Sequence, residues 1–102
     1  MAIDVDLRNE RGEVLYSVGD EPNLLGRVLP VAPSASFELL QYVDRWGDCI
    51  FNRAQMDSFL RDWSKIEKMA NSTSEKVFAL AVKRLAIRCR EGTHLYLWFV
   101  GD

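Results

Sequence analysis

The sequence predicts an α+β domain: a four- to five-stranded, mainly antiparallel sheet with two long helices packed on one face. Three observations carry this. Residues 2–8 alternate, with Ile3, Val5 and Leu7 set against Asp4, Asp6 and Arg8, the period-two pattern of a half-buried antiparallel strand. Between residues 52 and 91, apolar side chains recur at helical spacing in two runs. The segment LYLWFV, residues 95–100, is apolar on both faces, which suits a central strand. Strands, then helices, then a strand is the order of an α+β fold. A chain of 102 residues fits one domain with one modest core.

Each element has a local reason. Asn9 to Gly12 supplies a turn in which Gly12 takes positive φ without a steric cost, and Glu13 to Val18 returns as the second strand of a hairpin. Leu24, Leu25, Val28 and Leu29 predict a short helix over 23–29, capped by Asn23 or Asp20. Pro30 and Pro33 end it, and VAPSAS reads as a loop. Phe37 to Val43 is expected to be a third strand. Asp44 to Asp48 is a turn and Cys49 to Phe51 a brief extended segment.

Asn52 with Gln55 has the spacing of a capping box. The helix after it carries Met56, Phe59, Leu60, Trp63, Ile66 and Met69 on one face, and Arg61, Asp62, Lys65 and Lys68 on the other. Ser72 with Glu75 repeats the box and opens a helix over 74–91. That helix is apolar nearly all round (Val77, Phe78, Leu80, Ala81, Val82, Leu85, Ala86, Ile87, Cys89), so it is expected to be buried on more than one face. Lys83, Arg84, Arg88 and Arg90 sit towards its C-terminal end, where cations complement the helix dipole. Gly92 is the expected C′ residue. Thr93 to Val100 is the last strand.

Composition narrows function. Hydrophobic residues make up 48% and aromatics 11% of the chain, as in a folded domain rather than a disordered tail. No apolar run approaches the ~20 residues of a membrane span. MAIDVDL is acidic where a signal peptide carries Lys or Arg, so the cytoplasm is the expected compartment. Cys49 and Cys89 are expected to be buried thiols, and without CxxC spacing no zinc site is expected. The net charge is −2, with nine acidic and four basic residues in 1–51 and six acidic and nine basic in 52–102. A mildly acidic chain with no basic arm is a poor nucleic-acid binder.

No catalytic constellation stands out. His94 is the one histidine, and GxSxG, GxGxxG and P-loop patterns are absent. Cys89 falls on an apolar helix. Cys49 lies near carboxylates, which raise a thiol pKa rather than lower it. Asp4 and Asp6 share a strand face but supply too few oxygens for a hard cation, and no EF-hand loop occurs. No cofactor or metal is expected. Asp48, Asn52, Gln55 and His94 would make an enzyme only if they converge. Trp46 lies in a polar turn. It is either tucked under the sheet, as large aromatics usually are, or exposed as an interface anchor. Tyr96 and Trp98 offer a second partner-facing surface if no helix covers their side of the sheet.

YVDRWGDCIFNRAQM, the Trp-bearing helix after it and the ending HLYLWFVGD resemble a group of small uncharacterised bacterial proteins. That group shows a D-x-x-G-D-x-x-F-N-x-x-Q turn and a terminal Leu-aromatic strand closing in Gly-Asp. The first hairpin, IDVDLRNERGEVLYSVGD, is similar too, so the resemblance covers nearly the whole chain. It matches at Asp44, Gly47, Asp48, Phe51, Asn52, Gln55, Gly101 and Asp102, and it implies no catalytic role for any of them. In type rather than motif, the chain is similar to the immunity proteins of bacterial polymorphic toxin systems. That likeness, with the acidic first half, implies a protein-binding module that occludes a basic toxin domain through Asp4, Asp6, Asp44, Trp46 and Asp48. Carboxylates on a stable sheet face would steer such a partner. The alternatives are a self-associating or regulatory module, with a homodimer formed through the Tyr96/Trp98 face or an edge strand, and then a small enzyme.

Overall fold

The structure, a computed structural model, describes residues 3–30 and 36–101. Residues 31–35 of the expected loop, the start of the first strand at Ala2, and Asp102 lie outside them. Four antiparallel strands form one sheet in the order β2-β1-β4-β3, with β1 at Asp4–Asn9, β2 at Val14–Gly19, β3 at Asp48–Asn52 and β4 at Leu95–Val100. A short helix α1 spans Leu24–Val28. The two long helices are α2 at Met56–Met69 and α3 at Thr73–Glu91, and α3 lies over β1, β2 and β4. The expected α+β architecture, with two long helices on one sheet face, is the observed one.

The hairpin forms where the turn chemistry places it. Asn9 Oδ1 accepts the N–H groups of Arg11 and Glu13 at 2.9 and 3.1 Å, and Gly12 has φ 79°. Both capping boxes form. Asn52 and Gln55 exchange side-chain to backbone hydrogen bonds at the start of a 3-10 turn, Arg53–Gln55, that runs into α2; Ser72 and Glu75 do the same for α3. Each box satisfies N–H groups that a helix start leaves without partners.

Between helices and sheet lies an aromatic cluster. Phe59 stacks on Trp63 at 5.6 Å and 12°, and Phe51, Phe99 and Phe78 meet this pair edge-on or tilted. The Trp63 indole N–H donates to the Ala79 carbonyl at 2.8 Å, so this fully buried ring keeps its polar atom bonded.

Four expectations are corrected. Residues 37–43 do not form a strand but an irregular segment with a 3-10 turn at Leu40–Tyr42. The cause is Asp62, which is buried rather than part of a solvated helix face. Its Oδ1 accepts the Glu38 N–H at 3.0 Å, and its Oδ2 accepts those of Leu39 and Leu40 at 2.7 and 3.0 Å. One carboxylate thus takes the amides a strand would have used in a ladder. Of the two expected caps of α1, Asp20 is the one that forms, its two oxygens accepting the Leu24 and Leu25 N–H groups at 2.9 and 2.7 Å, while Asn23 sits at φ 57° with no capping bond. Burial pushes the Asp20 carboxyl up, against the lowering effect of those two amides. Helix α3 buries one face only, with Val77 64% and Leu80 43% exposed. At its end Gly92 is extended, and His94 takes the positive φ of 55°.

Candidate functional site

The turn between residues 44 and 47 sits at one corner of the sheet, where β3 begins and β4 ends. Asp44 Oδ1 accepts the Trp46 N–H at 2.9 Å, and the Gly101 N–H donates to the Gly47 carbonyl at 2.8 Å. Any side chain at 101 would strike the backbone of residues 45 and 47, since a Cβ there would lie 2.5 Å from the Arg45 carbonyl oxygen. Glycine is therefore what lets the end of β4 dock on this turn.

Inside the turn, polarity is inverted. The Arg45 guanidinium points inward and donates to the carbonyls of Gly26 and Leu29, at 2.9 and 2.7 Å, capping the C-terminal end of α1. Its neighbour Trp46 is turned out and 68% exposed. Trp46, Asp44, Val43 and Pro30 border a shallow cavity of about 240 Å³. Asp48 is exposed and lies opposite Val100, which lies opposite Asp4, also exposed. Asp4 and Asp48 are therefore two strands apart on the same face, about 10 Å at ordinary strand spacing. Among the described residues no cation pairs with Asp4, Asp44 or Asp48. Of the five residues singled out from the sequence, the fold gathers these three carboxylates and Trp46 at one corner.

Asp6 behaves differently. It is 4% exposed; Arg8 donates to its Oδ2 from Nε and Nη2 at 3.0 and 2.7 Å, and the Ser17 hydroxyl donates to Oδ1 at 2.6 Å. Its charge is neutralised in place, so it offers no free carboxylate to a partner. Arg8 also lies over the Trp98 ring at 4.1 Å, an arrangement worth about 0.5–1 kcal/mol at a partly exposed site. Trp98, Tyr96 and Ile50 share this face, which neither long helix covers, and Ile50 is 48% exposed. Arg8 and Arg45 carry this geometry, and the sequence reading passed over both. For Arg8 the signal was its shared strand parity with Asp6; for Arg45 there was none.

The groups considered for catalysis do not converge. Asn52 and Gln55 bond each other's backbone. His94 is exposed, 3.5 Å from Glu10, and borders a cavity of about 640 Å³ with Asn52, Arg53, Arg90 and Tyr96. Asp48 lies at the other end of β3. Neither thiol is activated: burial pushes Cys49 up, with Asp44 adding to it, and burial pushes Cys89 up to about 11. Among the described residues no group of His, Cys, Asp and Glu is arranged to hold a metal ion, and no helix is long and apolar enough to cross a membrane. In comparisons with known proteins, no family model, curated protein or solved structure matches the chain.

Proposed function

We propose that this protein is an immunity-type binding module that docks on and occludes a basic bacterial toxin domain in the cytoplasm, through the corner formed by Trp46, Asp44, Asp48 and Asp4. The carrying observation is the exposed Trp46 indole beside Asp44, at a corner whose other carboxylates, Asp48 and Asp4, likewise have no cation of their own among the described residues. A rigid aromatic supplies contact area at small entropic loss and is a frequent hot spot. Unpaired carboxylates around it raise the rate of encounter with a basic surface. Arg45, the one cation in the turn, is turned inward onto the carbonyls of Gly26 and Leu29 and makes no ion pair with these carboxylates.

The test is to express the protein with the toxin domain encoded beside its gene, purify any complex, and titrate variants. Trp46→Ala should weaken binding by about 30-fold or more, the scale of a hot-spot residue. Asp44→Asn with Asp48→Asn should mainly slow association, and the loss should shrink as salt rises. Equal binding by wild type and all three substitutions combined, or no binding to any neighbouring toxin domain, refutes the reading.

A further inference from the structure

A different edge of the molecule carries a second surface. Nine large hydrophobic residues are exposed among the described residues, and five of them lie on β2 and the outer side of α3: Val14, Leu15, Tyr16, Val77 and Leu80. Strand β2 is the outermost strand on its side of the sheet, and from Val14 to Gly19 it has neither the Lys nor the Pro that commonly blunts an edge. A bulge at Leu15 interrupts its pairing with β1, but Tyr16 to Gly19 run in regular register. Between this edge and α3 lies an apolar groove of about 510 Å³, bordered by Val18, Pro22, Val77, Phe78 and Ala81.

We infer that this edge is a homodimer interface, in which β2 pairs antiparallel with β2 of a second copy across a two-fold axis to make one continuous eight-stranded sheet. Charge selects this occupant. Glu21 stands at the Gly19 end of the groove. At the other end Arg88 lies over Tyr16, with its guanidinium carbon 4.8 Å from the ring centre, and Arg84 sits one turn earlier on the same side of α3. An antiparallel two-fold sets Glu21 of each copy towards Arg84 and Arg88 of the other. The same operation brings the two α3 helices side by side in opposite directions, so that the Arg84–Arg88 end of each lies against the groove of the other. Being isologous, the contact closes at two copies and leaves no growing edge on this side.

Sedimentation equilibrium of the full chain tests this. The wild type should be a dimer at about 100 µM, and Leu15→Glu with Val77→Lys, which set like charges against Glu21 and against Arg84 and Arg88 of the other copy, should weaken the dimer by about 30-fold or more. Both positions are about half exposed or more, so unchanged circular dichroism should show an intact fold. As an independent readout, amide exchange along 14–19 should slow as wild-type concentration rises. Trp46→Ala, at the opposite side of the sheet, should leave the dimer unchanged, which separates this inference from the toxin-binding one. A monomer at every concentration overturns it. So does a dimer that survives the double substitution, or one that is lost instead on Trp98→Glu on the open face.

Discussion

The two outer strands of the sheet are both antiparallel to their one neighbour and have opposite anchoring. Strand β3 sends Phe51 into the aromatic cluster, 5.8 Å from Phe59 and 5.9 Å from Phe99, and is continued by the Asn52 capping box into α2. Strand β2 sends Tyr16 and Val18 towards the helices, but Tyr16 stays 49% exposed under Arg88. One outer strand is fixed by buried rings; the other rests on the surface and keeps apolar area in solvent. The difference shows that a ladder position does not set a strand's role. What its inward side chains reach does.

The largest effect should separate the two strands directly. Phe51→Ala should cost about 3–5 kcal/mol through lost burial and the cavity left behind, lowering Tm by on the order of 20 °C. Tyr16→Ala should cost no more than about 1 kcal/mol, as a half-exposed ring does. Equal losses in thermal or urea unfolding would erase the contrast.

The segment feeding β3 provides the next test. Asp62→Ala leaves the amides of Glu38, Leu39 and Leu40 without their acceptor, so a loss of about 2–3 kcal/mol is expected. Exchange at those three amides should quicken more than at β2. Asp62→Asn retains one acceptor oxygen and should lose less.

On the β2 side, α3 is held by Glu75. The Asn71 N–H, with that of Ser72 and the Arg27 guanidinium, holds its carboxyl below the usual Glu range against the opposing effect of burial. A depressed carboxyl pKa means the unfolded chain binds the proton more readily. The stabilisation is therefore present above the unfolded value, about 4.3, and is lost as pH falls through the lower folded value. Glu75→Gln should give a shallower decline in stability over this acid range than the wild type; parallel acid profiles would count against the assignment. The smallest stability effect belongs to Trp46→Ala, within about 0.5 kcal/mol, since the indole has no partner among the described residues. A larger loss in thermal unfolding would mean that Trp46 supports the corner rather than waiting for a partner.

Much of this fold was legible in the residues. Period two in 3–8, the Gly12 turn, both capping boxes and the doubly apolar 95–100 strand depend on neighbours a few residues away, and local steric and hydrogen-bonding rules decide them. The candidate corner was legible only as a set of names. That Asp4, Asp44, Trp46 and Asp48 meet depends on β4 lying between β1 and β3, a pairing across more than forty residues of chain on either side.

By itself, then, the sequence determined the α+β class, the two helix starts and the central place of the last strand, because propensity, capping and periodicity act over short separations. Only the tertiary structure decided that Asp62 goes inward and cancels a strand at 37–43, that Asp6 is neutralised by Arg8 and Ser17, and that Arg45 turns in while Trp46 turns out. Each is a long- or medium-range competition for hydrogen-bond partners, or for a place in the core. Such competition is settled by which polar groups the fold leaves unsatisfied, and beyond the strand parity that Arg8 shares with Asp6 no local pattern records that.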